Sequence, residues 1–309
     1  MNAETLKYIK EDPKRLFSML GSKGLLNWIP DELYIKIKYK LSMGYWPDLK
    51  NPKTFNEKLQ WLKLHDRNPL YTTLVDKYAV RKYIADKIGE EYLIPLVGGP
   101  WKNADEIDFD ALPEQFVLKC NHDSGGVIVC KDKSKLDVEA ARAKLNKRLG
   151  LNYYYANREW PYKNVEPCII AEKYLENHGT DLSDYKWYCF DGEPKYLLIT
   201  EDRNRGGEQT KYNYFDMDFT ALPFYNSGPH SRNLPNKPDH FAQMKEVAGK
   251  LAEGFPHIRV DLYEVGDCVY FGELTLYDSS GMEKFDPPEW DETIGGWLTL
   301  PEKESSVNN

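Results

Sequence analysis

Ile258-Arg-Val-Asp-Leu-Tyr-Glu-Val265, Gly266-Asp267 and Cys268-Val-Tyr-Phe-Gly-Glu-Leu-Thr-Leu-Tyr277 are the stretch from which the fold is read. Two β-rich, alternating runs flank a Gly-Asp pair, which is a hairpin signal. Strand side chains alternate between faces, so Ile258, Val260 and Leu262 share one face and Arg259, Asp261 and Tyr263 the other. Leu274 and Leu276 oppose Glu273 and Thr275 in the same way. A two-residue turn pairs Val265 with Cys268 and sets Asp261 against Gly272. A three-residue turn, Gly266 to Cys268, pairs Val265 with Val269 and Asp261 with Glu273. The second register keeps Val260 opposite Leu274 and Ile258 opposite Leu276, so burial of the apolar face favours it. It also gathers Arg259, Asp261, Glu273 and Thr275 on one polar face. Facing carboxylates repel, and a Mg²⁺ ion beside a phosphate accounts for such a pair of hard oxygen ligands. An exposed polar face on an edge hairpin is the alternative.

Working back from this hairpin, residues 237–253 read as a helix with Phe241, Met244, Val247 and Leu251 inward. Residues 201–236 carry Arg203, Arg205, a glycine pair and many turn formers, and read as a loop-rich insertion beside a site. The segments 185–190 and 194–200 flank Asp191-Gly192, a second hairpin signal. Residues 168–171 read as a strand entering Glu172-Lys173-Tyr174-Leu175. The stretch 152–163 interleaves aromatics with Arg158 and Lys163, as either a sugar- or base-stacking surface or the packing of a lid. A charged helix is expected over 137–149. Strands at 116–121 and 127–130 enclose His122-Asp-Ser-Gly-Gly126, whose Ser124, Gly125 and Gly126 could fold over a phosphate, or form an ordinary turn. A short strand at 92–97 is expected to stop at Gly98-Gly99-Pro100. One helix is expected over 73–89. Another, over 54–64, starts at Thr54 with Glu57 completing a capping box. Residues 1–50 look helical and irregular.

The chain has 309 residues, 41% of them hydrophobic and 14% aromatic, enough for one large or two modest domains. A net charge of -8 leaves no basic footprint for nucleic acid. No apolar run is long enough to span a bilayer, and Met1-Asn-Ala-Glu-Thr does not read as a signal peptide. The five cysteines are dispersed, with no CxxC pair. They point to structural thiols and a reducing, cytoplasmic compartment. No Ser-His-Asp or Cys-His arrangement suggests covalent catalysis. Asp216-Met217-Asp218 matches a glycosyltransferase DxD motif but reads as a turn.

Several strings are long and specific: Lys53-Thr-Phe-Asn-Glu-Lys-Leu-Gln-Trp61, Asp76-Lys-Tyr-Ala-Val-Arg81, Phe116-Val-Leu-Lys-Cys-Asn-His122, Ile169-Ile-Ala-Glu-Lys-Tyr-Leu175, Arg259-Val-Asp-Leu-Tyr263 and Phe271-Gly-Glu-Leu-Thr275. On these the sequence resembles the TupA-like ATP-grasp family of bacterial surface-polysaccharide biosynthesis. The resemblance implies an α+β ATP-grasp fold with ATP held between two α+β subdomains, and an N-terminal helical region. It places a helical cap at 1–70 and the ATP-grasp domain at 71–300. Within the latter, a glycine-flap part spans about 116–175 and a metal-binding part about 176–295, with a disordered tail at 301–309.

By position, the resemblance makes Lys77 and Lys119 the phosphate lysines and His122, Ser124, Gly125 and Gly126 the flap. Glu172, Lys173, Tyr174 and Leu175 become the adenine hinge, and Asp184 the ribose acid. Asp261 and Glu273 become Mg²⁺ ligands together with Thr275, which stands where many ATP-grasp enzymes carry Asn; Asp278 is a further oxygen donor nearby. Arg259, Lys119 and Arg203 are the implied catalytic cations.

The implied reaction joins a carboxylate to an amine through an acylphosphate, releasing ADP and phosphate, by positioning and charge neutralisation. The implied carboxylate is a uronic acid of a capsular or cell-wall glycan precursor, held by 152–163 with Arg203 and Arg205. A lipid-linked precursor is a further expected partner. A kinase on the same fold, a glycosyltransferase and a non-enzymatic nucleotide- or glycan-binding module remain alternatives.

Overall fold

A computed structural model describes residues 13–176, 182–201, 209–226 and 228–302. Two antiparallel sheets organise the chain. The smaller contains β1 (Leu96–Trp101), β2 (Phe116–Cys120), β3 (Val127–Cys130) and β4 (Ile169–Lys173), in the order β1-β4-β2-β3. The larger contains β5 (Asp184–Phe190), β6 (Glu193–Glu201), β7 (Lys211–Phe215), β8 (His257–Val265) and β9 (Cys268–Thr275), in the order β7-β6-β5-β8-β9. With helices packed on both, the fold is the expected α+β class.

Each sheet has its own core. Phe116, Leu118, Ile169 and Ala171 bury one face of the small sheet with Ala141 and Leu145 of α6 (Val138–Leu149). The large sheet buries Trp187, Leu197, Ile258, Val260 and Leu262 with Met244, Val247 and Leu251 of α8 (Phe241–Ala252). Between Asp191 (φ +48) and Gly192 (φ +82) the chain turns from β5 to β6 as the dipeptide predicts.

The N-terminal region holds α1 (Pro13–Ser22), α2 (Asp31–Met43) and α3 (Phe55–His65). The capping box starts α3: Thr54 accepts from the Glu57 N–H, and the Glu57 side chain reaches back to the Thr54 N–H. Phe55, Leu59 and Leu62 enter the larger core. A short α7 (Tyr154–Asn157) lies in the aromatic stretch, and α9 (Glu289–Trp297) packs on α3.

Three expectations need correction. The turn of the opening hairpin is the two-residue one, with Val265 against Cys268, yet Asp261 still faces Glu273. A bulge at Gly272 reconciles the two: the register steps by one residue between Asp261 and Leu262. The helix expected over 73–89 is two helices, α4 (Leu70–Val75) and α5 (Val80–Ile88). Asp76 breaks it, because its carboxylate accepts from the N–H groups of Tyr78 and Ala79. β1 runs through Gly98-Gly99-Pro100 instead of ending there; as an edge strand with two register shifts it tolerates the missing proline donor. Within the loop-rich 201–236 segment the structure adds one short strand, β7.

Candidate active site

A cleft of about 850 Å³ opens between the two sheets. Lys119 reaches it from β2 and Glu172 and Lys173 from β4, with Tyr174 and Leu175 just beyond. The large sheet contributes Asp184 and Lys186 from β5, Arg259 and Asp261 from β8, and Glu273 from β9. Lys77 enters from the break between α4 and α5, where its own N–H donates to the Asn121 carbonyl. The break that contradicted the single-helix reading is therefore what aims this lysine across the cleft.

The charges interlock. Lys119 pairs with Glu172 at 2.5 Å, and Arg81 lies 3.6 Å from the same carboxylate. Lys77 stands 3.1 Å from Glu273 and donates to the Asp123 carbonyl. Lys186 is 2.5 Å from Asp261 and 3.7 Å from Asp184, and the Arg259 Nε donates to Asp261 at 2.7 Å. Burial penalises the charge of Asp261, but Arg259 and Lys186 outweigh it and bring the carboxyl from 3.8 down to about 2. Glu273 is also held below its ordinary value: burial and Asp261 work against its charge, and Lys77 and Arg259 prevail. Both facing carboxylates are thus ionised at neutral pH. Among the described residues no group of three or more His, Cys, Asp or Glu side chains is arranged to hold a metal. The pair suits Mg²⁺ in another way, since that ion is commonly bound by one or two carboxylates plus substrate phosphates.

The expected flap residues part company. Ser124 lines the cleft, but His122 is buried beneath it, with one ring nitrogen near the Asn121 amide oxygen and the other on the Leu151 carbonyl. The His122 side chain therefore supports the loop and does not face the cleft. Burial lowers its pKa. The N–H groups of Gly125 and Gly126 donate to the Asp123 carboxylate, which pairs with Arg148. Asp278 pairs with Arg259 and accepts from the Tyr188 hydroxyl. Thr275, opposite Arg259, lines a second cavity and not the cleft. Asp216 accepts from the N–H groups of Asp218 and Thr220, as a turn does. Arg203 and Arg205 lie outside the described residues. Cys120, Cys130, Cys168 and Cys189 are buried, and burial pushes the Cys120 thiol up to about 12, so it stays protonated.

The second cavity, about 390 Å³, adjoins the cleft: Ser124, Arg259 and Glu273 line both. Tyr153, Glu159 and Tyr162 reach it from the aromatic stretch, which thereby lines a cavity as well as packing. Lys186 escaped the sequence reading. Asp184 and Lys186 are two apart on a strand, a legible signal of a shared face, but their approach to Asp261 depends on β5 lying beside β8.

The profile of the TupA-like ATP-grasp family matches residues 57–299. No curated protein matches the sequence. Among solved structures, D-alanine–D-alanine ligase from Bacillus anthracis complexed with ATP shares 14% identity, with a TM-score of 0.38 over 66% of this chain and 54% of that one. The ATP-grasp ligase PsnB, complexed with a minimal-precursor variant, Mg and ADP, shares 13%, with a TM-score of 0.39 over 71% of this chain and 57% of that one. A RimK domain ATP-grasp protein from Sphaerobacter thermophilus shares 13%, with a TM-score of 0.39 over 76% and 70%. The chain spans little more than half the length of the first two. No described helix is long and apolar enough to cross a membrane.

Proposed function

This chain belongs to the TupA-like ATP-grasp family, and from that premise we propose that it is an ATP-dependent ligase joining a carboxylate to an amine. The observation that carries the reading is the facing of Asp261 and Glu273 in a cleft that also holds Lys77, Lys119 and Lys186 and opens onto a second cavity. Lysines act as point charges on phosphate oxygens. Asp261 and Glu273 would hold Mg²⁺, which would neutralise the phosphates. Glu172 to Leu175 would bind the adenine, and Asp184 the ribose. The second cavity receives the carboxylate substrate, whose oxygen attacks the terminal phosphorus at the shared rim beside Arg259. ADP leaves, an acylphosphate forms, and the amine then displaces phosphate from the acyl carbon and releases a proton to solvent. In this scheme the protein binds, orients and neutralises, and it needs no covalent nucleophile.

In this proposal the carboxylate is a uronic acid of a cell-surface polysaccharide precursor, and the reaction takes place in the cytoplasm. The test is nucleotide turnover with Mg·ATP, a panel of amino acids and simple uronic acids. ADP and phosphate formed only when carboxylate and amine are both present support the ligase. ADP formed with a sugar alone, without free phosphate, means phosphate transfer to a hydroxyl and overturns it.

A further inference from the structure

The second cavity has a wall that the ATP-grasp family match does not cover. Lys14 and Ser18 of α1 and Lys38 and Ser42 of α2 line it, all before residue 57, where that match begins. Arg259 and Glu273 also line it, at the rim shared with the nucleotide cleft, which the helix residues do not reach. The two parts of the lining offer different chemistry. At the rim, the positive charge of Arg259 is already matched by Asp261 and Asp278. On the helical wall, Lys38 donates to the Ala156 carbonyl and the Asn157 side chain, both neutral acceptors. No ion pair holds Lys14 among the described residues, and its charge is near enough to be felt by Lys38. A buried carboxylate close by, Glu159, also faces Lys63 and accepts from the Ser280 hydroxyl. Lys63 and Lys38, whose pKa values burial lowers to about 7 and about 8, share that carboxylate, and Lys14 adds its own charge beside Lys38, so basic groups outnumber carboxylates on that wall. The rest of the lining is rich in hydroxyls, including Ser279, Ser280 and Tyr153. Hydroxyl groups serve as donor and acceptor at once, which suits a polyol. A volume of about 390 Å³ lies at the lower end of ordinary ligand sites and accommodates a ligand of monosaccharide size.

We propose that the N-terminal helices form a subsite for a second anionic group of the substrate, so that the molecule bound is a sugar acid with anions at both ends. This rests on the ligase reading above, in which the carboxylate at the Arg259 rim is the one activated. The other anion, a phosphate or a second carboxylate, sits between Lys14 and Lys38. Hydrogen bonds to charged groups are worth about 1.5–3 kcal/mol each, which corresponds to roughly a tenfold or greater gain in affinity.

The experiment is calorimetric titration of the full-length protein with glucuronate 1-phosphate, with glucarate, and with glucuronate as the single-anion control. At least one of the two dianions should bind about tenfold or more tighter than glucuronate, and which one does identifies the second anion. In Lys14→Gln, an exposed substitution on α1, that advantage should fall severalfold while glucuronate binding stays constant. Lys38→Gln should do the same, and retained Mg·ATP binding shows that either variant is folded. Dianions no tighter than glucuronate in the wild type, or an advantage intact in Lys14→Gln, overturn the subsite. Turnover separates the two readings. A dianion whose affinity depends on Lys14 but that is never joined to an amine sinks the ligase and leaves the subsite. Uronate–amine joining without any dianion preference does the reverse.

Discussion

Asp261→Asn tests the electrostatics of the cleft most directly. The carboxylate is almost wholly buried, at 3% exposure, and receives Lys186 at 2.5 Å and Arg259 at 2.7 and 2.9 Å. Its pKa of about 2, against 3.8 ordinarily, corresponds to about 2 kcal/mol favouring the folded state at neutral pH. Removing one partner of a buried pair costs about 3–5 kcal/mol when the other is stranded. Here Asp184 and Asp278 remain beside Lys186 and Arg259, so the expected loss is about 2 kcal/mol, below that range. The sign follows from the depressed pKa: the contribution is complete above the unfolded value near 4 and is lost as pH falls through about 2. At about pH 3 roughly half of it remains. Urea unfolding of wild type and variant at about pH 7 and about pH 3 reads the difference. The gap should shrink by about half between the two. A gap that is constant with pH, or absent at pH 7, refutes the ion-pair account of Asp261.

Glu273→Gln should abolish turnover and weaken Mg·ATP binding in a protein that still unfolds cooperatively; full activity would remove the metal assignment. Lys119→Ala should raise the ATP concentration needed for half-maximal turnover tenfold or more, by loss of about 1.5–3 kcal/mol of charge-assisted bonding, and unchanged ATP dependence would place the phosphates elsewhere. Gly272→Ala puts a Cβ 2.8 Å from the Tyr263 ring and 3.1 Å from the Asp261 carbonyl. It should destabilise by about 1–3 kcal/mol, read as a lowered urea midpoint. Adjacent glycines in α9 should behave oppositely. A Cβ at Gly295 meets the backbone at the start of α3, 2.7 Å from the Phe55 nitrogen, and should cost several kcal/mol, whereas one at Gly296 meets nothing within 4 Å and should gain up to about 1 kcal/mol of helix propensity. Thermal melts of the two variants decide.

What the sequence disclosed was what local chemistry dictates. Thr54 and Glu57 announce a helix start because both partners of the capping box lie within four residues. Asp191-Gly192 announces its hairpin because few residues accept a positive φ. The Asp261–Glu273 pairing was legible from the apolar face of the hairpin, although the turn inferred to produce it was the wrong one. Gly272 read as an ordinary strand residue, although the apolar positions change phase there, from Val269 and Phe271 to Leu274 and Leu276. Asp76 read as the start of a helix, and its carboxylate on the Tyr78 and Ala79 N–H groups does start the turn leading into α5; what went unread is that α4 ends at the same residue. Lys186 was missed because its partner Asp261 lies 75 positions away, across β6, β7 and α8. The wall built by Lys14 and Lys38 was invisible for the same reason, since nothing in a helix names the cavity it will line.

The bulge at Gly272 also makes the hairpin an engineering handle. Because the alignment of Asp261 with Glu273 is adjusted inside the strand, it does not depend on the length of the turn at the tip. Gly266, at φ +56 with open space around its Cα, sits five residues from the nearer carboxylate. A fluorophore attached to the exposed Cys268, or a short peptide spliced between Gly266 and Asp267, would ride on the end of the hairpin without shifting the edge that carries the two carboxylates. The protein thus offers its own attachment point for a probe on the hairpin that lines the cleft.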